Sequence, residues 1–245
     1  MKNILIFGAS SKIAHCTARL FAAEDSKFFL VARDSTKLES IAKDLEARGA
    51  NEVVTLTVDL ADTSHHSACI SAAIEAMARI DICLIAHGTL GDQDLCQENV
   101  DETLNQINTN GLSYISLMTR ISQQMEKQNC GILAVISSVA GDRGRQSNYV
   151  YGSAKALVSA FTEGMAHRFA QSNIKVILIK PGLVDTPMTS DFPKGPIWAS
   201  AESIAAGIYK AIQQPKTTAY LPFFWRYIML LIKLTPSWLM HKTKL

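Results

Sequence analysis

The chain has 245 residues, 48% of them apolar, which is enough for one α/β domain with a well-buried core but not for a second full domain. A net charge of +2 gives no electrostatic basis for nucleic-acid binding. The five cysteines are an odd number without a CxxC pair, so they are predicted to be reduced and buried, with no metal site. No signal-peptide pattern follows Met1, so a cytoplasmic protein is expected.

Short aliphatic runs alternate along the chain with amphipathic stretches, as in βαβ units. Strands are predicted at 3–7, 28–32, 53–58, 82–86, 131–136, 174–179 and 218–221. Helices are predicted at 12–23, 36–48, 63–78, 100–127, 149–171 and 201–213. This order predicts a Rossmann-type, doubly wound parallel sheet in one domain, residues 1–221, followed by an apolar helical tail, residues 222–245.

The stretch GASSKIA, residues 8–14, follows the first strand, where a dinucleotide-binding protein has its glycine-rich turn. Gly8 is the first of the three usual glycines, and Lys12 and Ala14 occupy the second and third places. Alanine is accepted in the third place, and the Lys12 ammonium would lie beside the phosphates of a cofactor at a helix amino terminus. We interpret the turn as a working variant, the alternative being a turn that has lost tight cofactor affinity.

The end of the second strand indicates which nicotinamide cofactor is bound. NAD sites generally have a carboxylate at the strand tip, whereas a nearby arginine accommodates the 2′-phosphate of NADP. Here Ala32 is at the tip and Arg33 follows it. Asp34 comes one residue late and is predicted to cap the next helix. The sequence therefore favours NADP(H).

Candidate catalytic residues follow the fifth strand. Tyr151 and Lys155 are four residues apart on a predicted helix, so their side chains share one face. A nearby ammonium favours the phenolate, so we expect the pKa of Tyr151 to fall and its hydroxyl to act as an acid or base near neutral pH. Ser138 can hold a substrate carbonyl against that phenol, whereas Tyr149 has no lysine four residues later and is the weaker candidate.

Three further motifs accompany Ser138, Tyr151 and Lys155: Asn108 in NTNG, Asp59 in VDL, and PGLVDT at 181–186. With them, residues 1–215 of the chain resemble the short-chain dehydrogenase/reductase family. The resemblance implies that Tyr151 is the general acid/base and that Lys155 lowers its pKa and holds the nicotinamide ribose. Ser138 would position the substrate, and Asn108 would support a proton-relay water. The cofactor-binding residues implied are Gly8, Ser10, Ser11, Lys12, Ile13, Arg33, Asp59, Leu60, Gly88, Tyr151, Lys155, Pro181, Gly182, Val184 and Thr186.

Several of these residues have simpler interpretations. Asn108 is alternatively a helix-surface residue, Ser138 a strand-end cap and Asp59 a helix N-cap. The family usually has Asn-Asn-Ala-Gly after the fourth strand, and this chain has Ile-Ala-His-Gly at 85–88, so the bracing by asparagines is lost. His87 is interpreted as an ordinary hydrogen-bonded strand-end residue, the alternative being a ligand-facing one. The pair His65 and His66 is expected on a solvated helix surface.

The loop after Pro181 is expected to cover the substrate, and its side chains Met188, Phe192, Ile197 and Trp198 favour a bulky or apolar substrate, unless they are ordinary core residues. The tail has no uncharged run near the ~20 residues of a membrane span. Its predicted helix, 222–234, has cations on one face and apolar residues on another, which is typical of interfacial helices. The residues concerned are Arg226 and Lys233, with Lys242 and Lys244 beyond, and Phe224, Tyr227, Ile228, Leu231 and Leu234.

The tail and the altered glycine turn together loosely resemble bacterial reductases that act on a keto-sugar attached to a polyprenyl phosphate. We therefore expect peripheral contact with the inner face of a membrane through 222–245, the alternatives being a subunit interface and a roof over the substrate pocket. A homodimer or homotetramer is expected.

The function expected is NADPH-dependent interconversion of a carbonyl and an alcohol on a bulky apolar or lipid-linked substrate. Hydride would pass between nicotinamide and the carbonyl carbon while Tyr151 exchanges a proton with the oxygen. The alternative from another class is a nucleotide-sensing or scaffold protein on a degenerate fold. An epimerase or dehydratase is disfavoured, because the chain leaves little room for the separate substrate domain of those enzymes.

Overall fold

The computed structural model describes residues 1–243, so Lys244 and Leu245 lie outside the described part. Its main strands are β1 (Lys2–Phe7), β2 (Ser26–Ala32), β3 (Glu52–Thr57), β4 (Ile82–Ile85), β5 (Gly131–Ile136), β6 (Ile174–Pro181) and β9 (Thr218–Leu221). They form one parallel sheet in the order β3-β2-β1-β4-β5-β6-β9. A separate pair consists of β7 (Val184–Asp185) and β8 (Ala199–Ser200).

Helices connect the strands. They are α1 (Lys12–Ala22), α2 (Ser35–Ala47), α3 (His66–Met77), α4 (Gln93–Glu98), α5 (Val100–Ile107), α6 (Ser113–Gln128), α7 (Tyr149–Arg168), α8 (Ala201–Gln213), α9 (Trp225–Leu234) and α10 (Ser237–Met240). The predicted Rossmann-type fold is confirmed, and the predicted strands differ from the observed ones only at their ends. Helix α4 and the pair β7 and β8 were not predicted, and α10 lies within the predicted helical tail but beyond the helix predicted at 222–234.

The sheet is buried on both faces because its strands are almost continuously apolar. Along β1, Ile4 and Ile6 belong to one apolar cluster, whereas Leu5 and Phe7 belong to another on the opposite face. The register pairs Phe7 with Val31 on one side and Ile85 on the other, so these strands end at the same edge. The polar loops that follow the strands therefore meet at that edge.

The predicted helix at 100–127 is interrupted. Between α5 and α6 the backbone forms a π-helical turn at Asn108–Leu112. The Asn108 amide donates to the Ala61 carbonyl at 2.9 Å, and the Asn110 amide donates to the Gln106 carbonyl at 3.1 Å. Such side-chain bonds to backbone compete with regular helix, and the extra residue in the turn changes which side chains face inward.

Helix α9 packs on the sheet domain. Trp225 and Met229 are buried in one apolar cluster with Val139. The Arg143 guanidinium donates to the carbonyls of Ile232, Lys233 and Thr235 at 3.2, 2.9 and 2.9 Å, which satisfies groups that the helix end leaves unpaired. Within residues 1–243 no helix has the length and hydropathy needed to cross a membrane. The division of the chain at residue 221 stays a prediction.

Candidate active site

A cavity of about 430 Å³ opens beyond the carboxyl ends of the strands. Its walls come from the loops after β1, β2 and β3 on one side and from the loops after β5 and β6 on the other. We call these the cofactor end and the catalytic end. All fifteen residues that the sequence predicted for cofactor binding line it: Gly8, Ser10, Ser11, Lys12, Ile13, Arg33, Asp59, Leu60, Gly88, Tyr151, Lys155, Pro181, Gly182, Val184 and Thr186.

The turn after β1 is tight despite its missing glycines. Gly8 has a φ of +80°, and a Cβ there would lie 2.4 Å from the backbone nitrogen of His87, so only glycine fits. Ala14 is completely buried, which shows that the third place holds a methyl group without room for more. Lys12 begins α1 with an exposed side chain, and its Nζ lies 3.4 Å from a Glu202 carboxylate oxygen.

The loops after β2 and β3 place one cation and one carboxylate at the cavity. Arg33 has an exposed side chain at its wall. Asp34 accepts a hydrogen bond from the Lys37 backbone N–H at 3.0 Å, which confirms its predicted role as the cap of α2. Asp59 accepts from the Ala61 N–H at 2.9 Å and does not cap a helix, since Asp62 caps the helical turn that follows.

Helix α7 holds Tyr151 and Lys155 on the cavity. The Lys155 ammonium lies 5.8 Å from the ring centroid of Tyr151 and 4.2 Å from that of Tyr114, and donates to the Ile136 carbonyl at 3.4 Å. The Ser137 hydroxyl donates to the Lys155 carbonyl at 2.9 Å and so ties α7 to the end of β5. Ser138, the next residue, lines the cavity and also caps the following turn through the Ala140 N–H at 3.1 Å.

The prediction that the pKa of Tyr151 falls is wrong for this structure. Burial raises the pKa of Tyr151 to about 12, against a hydrogen bond with Ser138 that acts to lower it. Burial also lowers the pKa of Lys155 to about 7. Removal from water disfavours the charged form of both side chains, so near neutral pH Tyr151 is a phenol and Lys155 is divided between its two forms.

The structure does not bring Asn108 to the cavity. In the π-helical turn, Asn110 lines the cavity and is fully buried, whereas Asn108 is not a lining residue and donates to the carbonyl of Ala61, which is one. The Asn110 Oδ1 accepts from the Thr89 N–H at 3.0 Å. The role predicted for Asn108 stays a prediction, and the π-helical turn makes Asn110 a second candidate within the tetrapeptide 108–111.

His87 and Tyr114 form a stacked pair at the floor of the cavity, with ring centroids 4.2 Å apart. The His87 Nε2 lies 2.5 Å from the Ser113 hydroxyl, and the Tyr114 hydroxyl donates to the His87 carbonyl. Burial keeps the pKa of His87 well below its ordinary value, so its imidazole is neutral. These bonds agree with the prediction of a hydrogen-bonded strand-end histidine, and they connect β4 to α6.

The expectation of two solvated histidines was wrong for one of them. His65 is exposed, but His66 is completely buried, with its ring nitrogens 3.0 Å from the Ser116 hydroxyl and 3.0 Å from the Leu60 carbonyl. No group of three or more metal-ligating side chains occurs in the part of the chain that is described.

Of the predicted covering loop, Met188, Phe192 and Trp198 line the cavity, whereas Ile197 does not.

The catalytic end also contains residues that the sequence did not predict. Trp225 reaches the cavity from α9, and its Nε1 stands 1.9 Å from where a Cβ on Gly182 would lie, so a side chain at 182 is excluded. Nothing in the spacing of the sequence marks this contact. Arg145 and Asn148 also line the cavity and carry no recognisable motif.

Comparison with known proteins agrees with this arrangement. The sequence model of the family described as short chain dehydrogenase matches residues 2–196. The chain is 30% identical to an uncharacterized oxidoreductase of Mycobacterium tuberculosis, over 98% of this chain and 96% of the relative. It is 29% identical to an uncharacterized oxidoreductase of Streptomyces coelicolor, over 96% and 93% of the two chains.

Two solved structures share the fold. Levodione reductase superposes with a TM-score of 0.83 at 24% identity, covering 92% of this chain and 98% of that one. Actinorhodin polyketide ketoreductase with NADPH superposes with a TM-score of 0.79 at 20% identity, covering 89% and 95%. At these identities the likeness concerns the architecture alone.

Proposed function

This chain belongs to the short chain dehydrogenase family and is an oxidoreductase, and we propose that it interconverts a carbonyl and an alcohol with NADP(H). The observation that carries the proposal is the convergence of Ser138, Tyr151 and Lys155 on one cavity with every predicted cofactor residue. A scaffold or sensor on a degenerate fold does not require a desolvated phenol and lysine at the same site.

The residues present fit a dinucleotide. Gly8 allows backbone approach to a pyrophosphate, and the amino terminus of α1 with Lys12 favours its negative charge. Asp59 and Leu60 would hold the adenine end, and the segment Pro181–Gly182 with Val184 and Thr186 would hold the nicotinamide end. When bound, the reduced nicotinamide supplies a hydride to the carbonyl carbon.

Tyr151 supplies the proton in the reducing direction. With a pKa of about 12, its phenol is protonated at neutral pH and can donate to the carbonyl oxygen that Ser138 holds. Lys155, with a pKa of about 7, is a second proton-holding group on the same helix face. In place of Asn108, we assign the positioning role to Asn110, because it is buried at the cavity and fixes the Thr89 backbone.

Arg33 and Lys12 support the preference for NADP(H). Both have exposed, cationic side chains at the cofactor end, and the strand tip carries Ala32 instead of a carboxylate. A guanidinium beside the 2′-phosphate adds a charge-assisted contact that NADH does not make. Titration of the protein with NADPH and with NADH tests this step, and equal affinities would contradict it.

The substrate is proposed to be bulky or lipid-linked, because Met188, Phe192, Trp198 and Trp225 give the catalytic end an apolar wall. The direct experiment measures NADPH consumption with carbonyl compounds of increasing apolar size. Rising kcat/KM with size supports this substrate class. Binding of NADPH without turnover of any carbonyl would favour the sensing alternative.

We further propose that α9 meets the inner face of a membrane. While Trp225 and Met229 face the core, the side chains of Tyr227, Leu231 and Leu234 are 61%, 70% and 71% exposed. Exposed cations, Arg226, Lys233 and Lys242, lie among them and suit anionic headgroups.

Co-sedimentation with anionic liposomes tests this placement, using the full chain and the double variant Leu231→Glu/Leu234→Glu, whose changes lie outside the buried cluster. The account expects the full chain to bind liposomes and the variant to lose this binding.

A homodimer or homotetramer is the assembly proposed. If neither protein binds liposomes and the variant alone becomes monomeric, the face belongs to a subunit interface.

A further inference from the structure

Unpaired polar atoms are concentrated at one place in the molecule. Four buried side-chain atoms that lack a hydrogen-bond partner within residues 1–243 belong to residues lining the cavity: His87 Nδ1, Arg145 Nε, Asn148 Oδ1 and Trp225 Nε1. Buried polar groups in folded proteins are nearly always paired, so such a concentration needs an explanation. Three of the four come from the segments that form the catalytic end, where a substrate would supply their partners.

Arg145 stands out among them because it has a full charge. No carboxylate of the described residues forms an ion pair with it, and burial lowers the pKa of its guanidinium. Asp142 is the acid closest to it along the segment, but its carboxylate is occupied by Lys180 at 2.7 Å and by the Tyr220 hydroxyl at 2.7 Å. Arg143, two residues earlier, is by contrast fully engaged with the carbonyls at the end of α9.

The rest of the wall gives this charge no compensation. Asp59 is the only carboxylate among the lining residues that the structure describes, and it belongs to the loop after β3 at the cofactor end. The catalytic end contains Arg145 and Lys155 within an otherwise neutral surface. The Asp142 carboxylate attracts the Arg145 charge without forming a bond to it, so the guanidinium is left free to pair with an anionic ligand in this partly desolvated cavity.

We propose that the substrate carries an anionic oxygen group, a carboxylate or a phosphate, and that the Arg145 guanidinium binds it. This inference rests on the proposed function and adds the charge of the substrate to it. Arg145 and Tyr151 line the same cavity, so one ligand can present its anionic group to the guanidinium and its carbonyl to the phenol. The Trp225 N–H, on the side formed by α9, is the second donor available to the substrate.

Guanidinium geometry suits this role. The planar fork of an arginine binds two oxygens of a carboxylate or phosphate side by side, which fixes the direction of the substrate as well as its affinity. A lysine at the same place retains the charge but not the paired contact. The variants Arg145→Lys and Arg145→Gln therefore separate geometry from charge.

A matched pair of carbonyl probes tests the proposal. Phenylglyoxylate and its methyl ester have the same ring and ketone position but differ in charge and in the electrophilicity of the ketone. Each variant is therefore compared with the native chain on the same probe. Arg145→Gln should lower kcat/KM for the acid about 10- to 100-fold, the range of one charge-assisted contact, and leave the ester within about twofold. Arg145→Lys should fall between the two.

The control is Arg120→Gln, which removes an exposed arginine that does not line the cavity, and it should leave the acid-to-ester ratio unchanged. Equal loss for acid and ester in Arg145→Gln would assign Arg145 a merely structural role and overturn the proposal. Unchanged kcat/KM for both probes in that variant would overturn it as well.

A binding measurement keeps the proposal independent of turnover. Calorimetric titration of the protein saturated with NADP⁺ uses phenyl phosphate, benzoate and benzyl alcohol. We expect one or both anions to bind the native chain, and Arg145→Gln to reduce that affinity about 10- to 100-fold. The anion that binds more tightly identifies the ligand group as a phosphate or a carboxylate. Arg145-dependent anion binding without any turnover would count against the proposed reaction alone. Failure of both anions to bind the native chain, or equal binding by the variant, would overturn the anion site.

Discussion

The two ends of the cavity are built differently. At the catalytic end, Tyr151 and Lys155 are fixed by α7 and desolvated, so their pKa values are shifted toward neutral forms. At the cofactor end, Lys12 and Arg33 are exposed cations on the loops that follow β1 and β2. The first arrangement tunes the reactivity of two groups, whereas the second supplies charge for recognition.

This difference predicts different consequences for mutations. Loss of the Tyr151 or Ser138 hydroxyl should alter the rate of the chemical step with little effect on cofactor affinity, because these groups act on the substrate carbonyl, whereas changes to Lys155 should affect both. Changes at the cofactor end should alter the choice of cofactor and leave the protonation chemistry intact. The experiments below either separate the two ends in this way or show that they act together.

The largest effect is expected for Tyr151→Phe. Loss of the proton donor should reduce kcat about 100- to 10,000-fold while NADPH still binds, as measured by turnover and by fluorescence titration. Tyr149→Phe is the matched control, since Tyr149 is exposed and does not line the cavity. Near-normal turnover by Tyr151→Phe would remove the phenol from the mechanism.

Arg33→Ala should act on cofactor choice. Loss of one charge-assisted contact to the 2′-phosphate corresponds to a decrease of about 10- to 100-fold in kcat/KM for NADPH, with NADH unaffected. Lys43→Ala, an exposed lysine on α2, serves as the control for loss of charge. A parallel decrease for both cofactors would show that Arg33 does not read the phosphate.

The two asparagines of the π-helical turn give a sharper test of the catalytic end. Asn110→Ala should lower kcat about 10-fold through loss of the bond that fixes Thr89, with a smaller change in KM, whereas Asn108→Ala should leave kcat within about twofold. Asn110→Asp, which keeps the acceptor oxygen, should recover part of the rate. The reverse order of the two alanine variants would restore the family assignment to Asn108.

The smallest effect concerns stability and pH. Lys155 has a pKa of about 7 in the folded state, below its ordinary value of 10.5. Between pH 7 and pH 10.5 the Lys155 amine therefore binds a proton in the unfolded chain but has lost it in the folded one. The contribution of Lys155 to the free energy of unfolding should therefore rise with pH from about 7 to about 10.5 and be least favourable below 7. Denaturant unfolding of the native chain and Lys155→Met across this range measures it. A constant difference between them would contradict the shifted pKa.

The sheet and the residues that line the cofactor end could be predicted because their signals are local. Apolar runs define β1 to β6, Gly8 and Arg33 directly follow β1 and β2, and Asp59 lies two residues after β3. The spacing of Tyr151 and Lys155 on one helix face was also a local signal. The pKa of Tyr151 could not be predicted from that spacing, because burial of the two groups outweighs the effect of their proximity. The position of Asn110 at the cavity could not be predicted, because a π-helical turn changes the helix period.

Trp225 and Arg145 could not be predicted for another reason. Trp225 reaches the cavity only because Met229, Val139 and the Arg143 bonds hold α9 against the domain, which are contacts between segments far apart in the chain. The special character of Arg145 lies in the absence of an ion pair with the described carboxylates, and a sequence does not show which acids are already paired. Both residues line the catalytic end, and Trp225 belongs to the segment after residue 221.

The most direct test of the central claim follows the hydride itself. The native chain is incubated with methyl phenylglyoxylate and NADPH deuterated at the transferable position of the nicotinamide ring, and the alcohol is analysed by mass spectrometry. The account predicts one deuterium on the carbinol carbon of the product, at a rate that Tyr151→Phe reduces to near background. Binding of NADPH without deuterium transfer to this probe or to phenylglyoxylate would contradict the assignment of a carbonyl reductase.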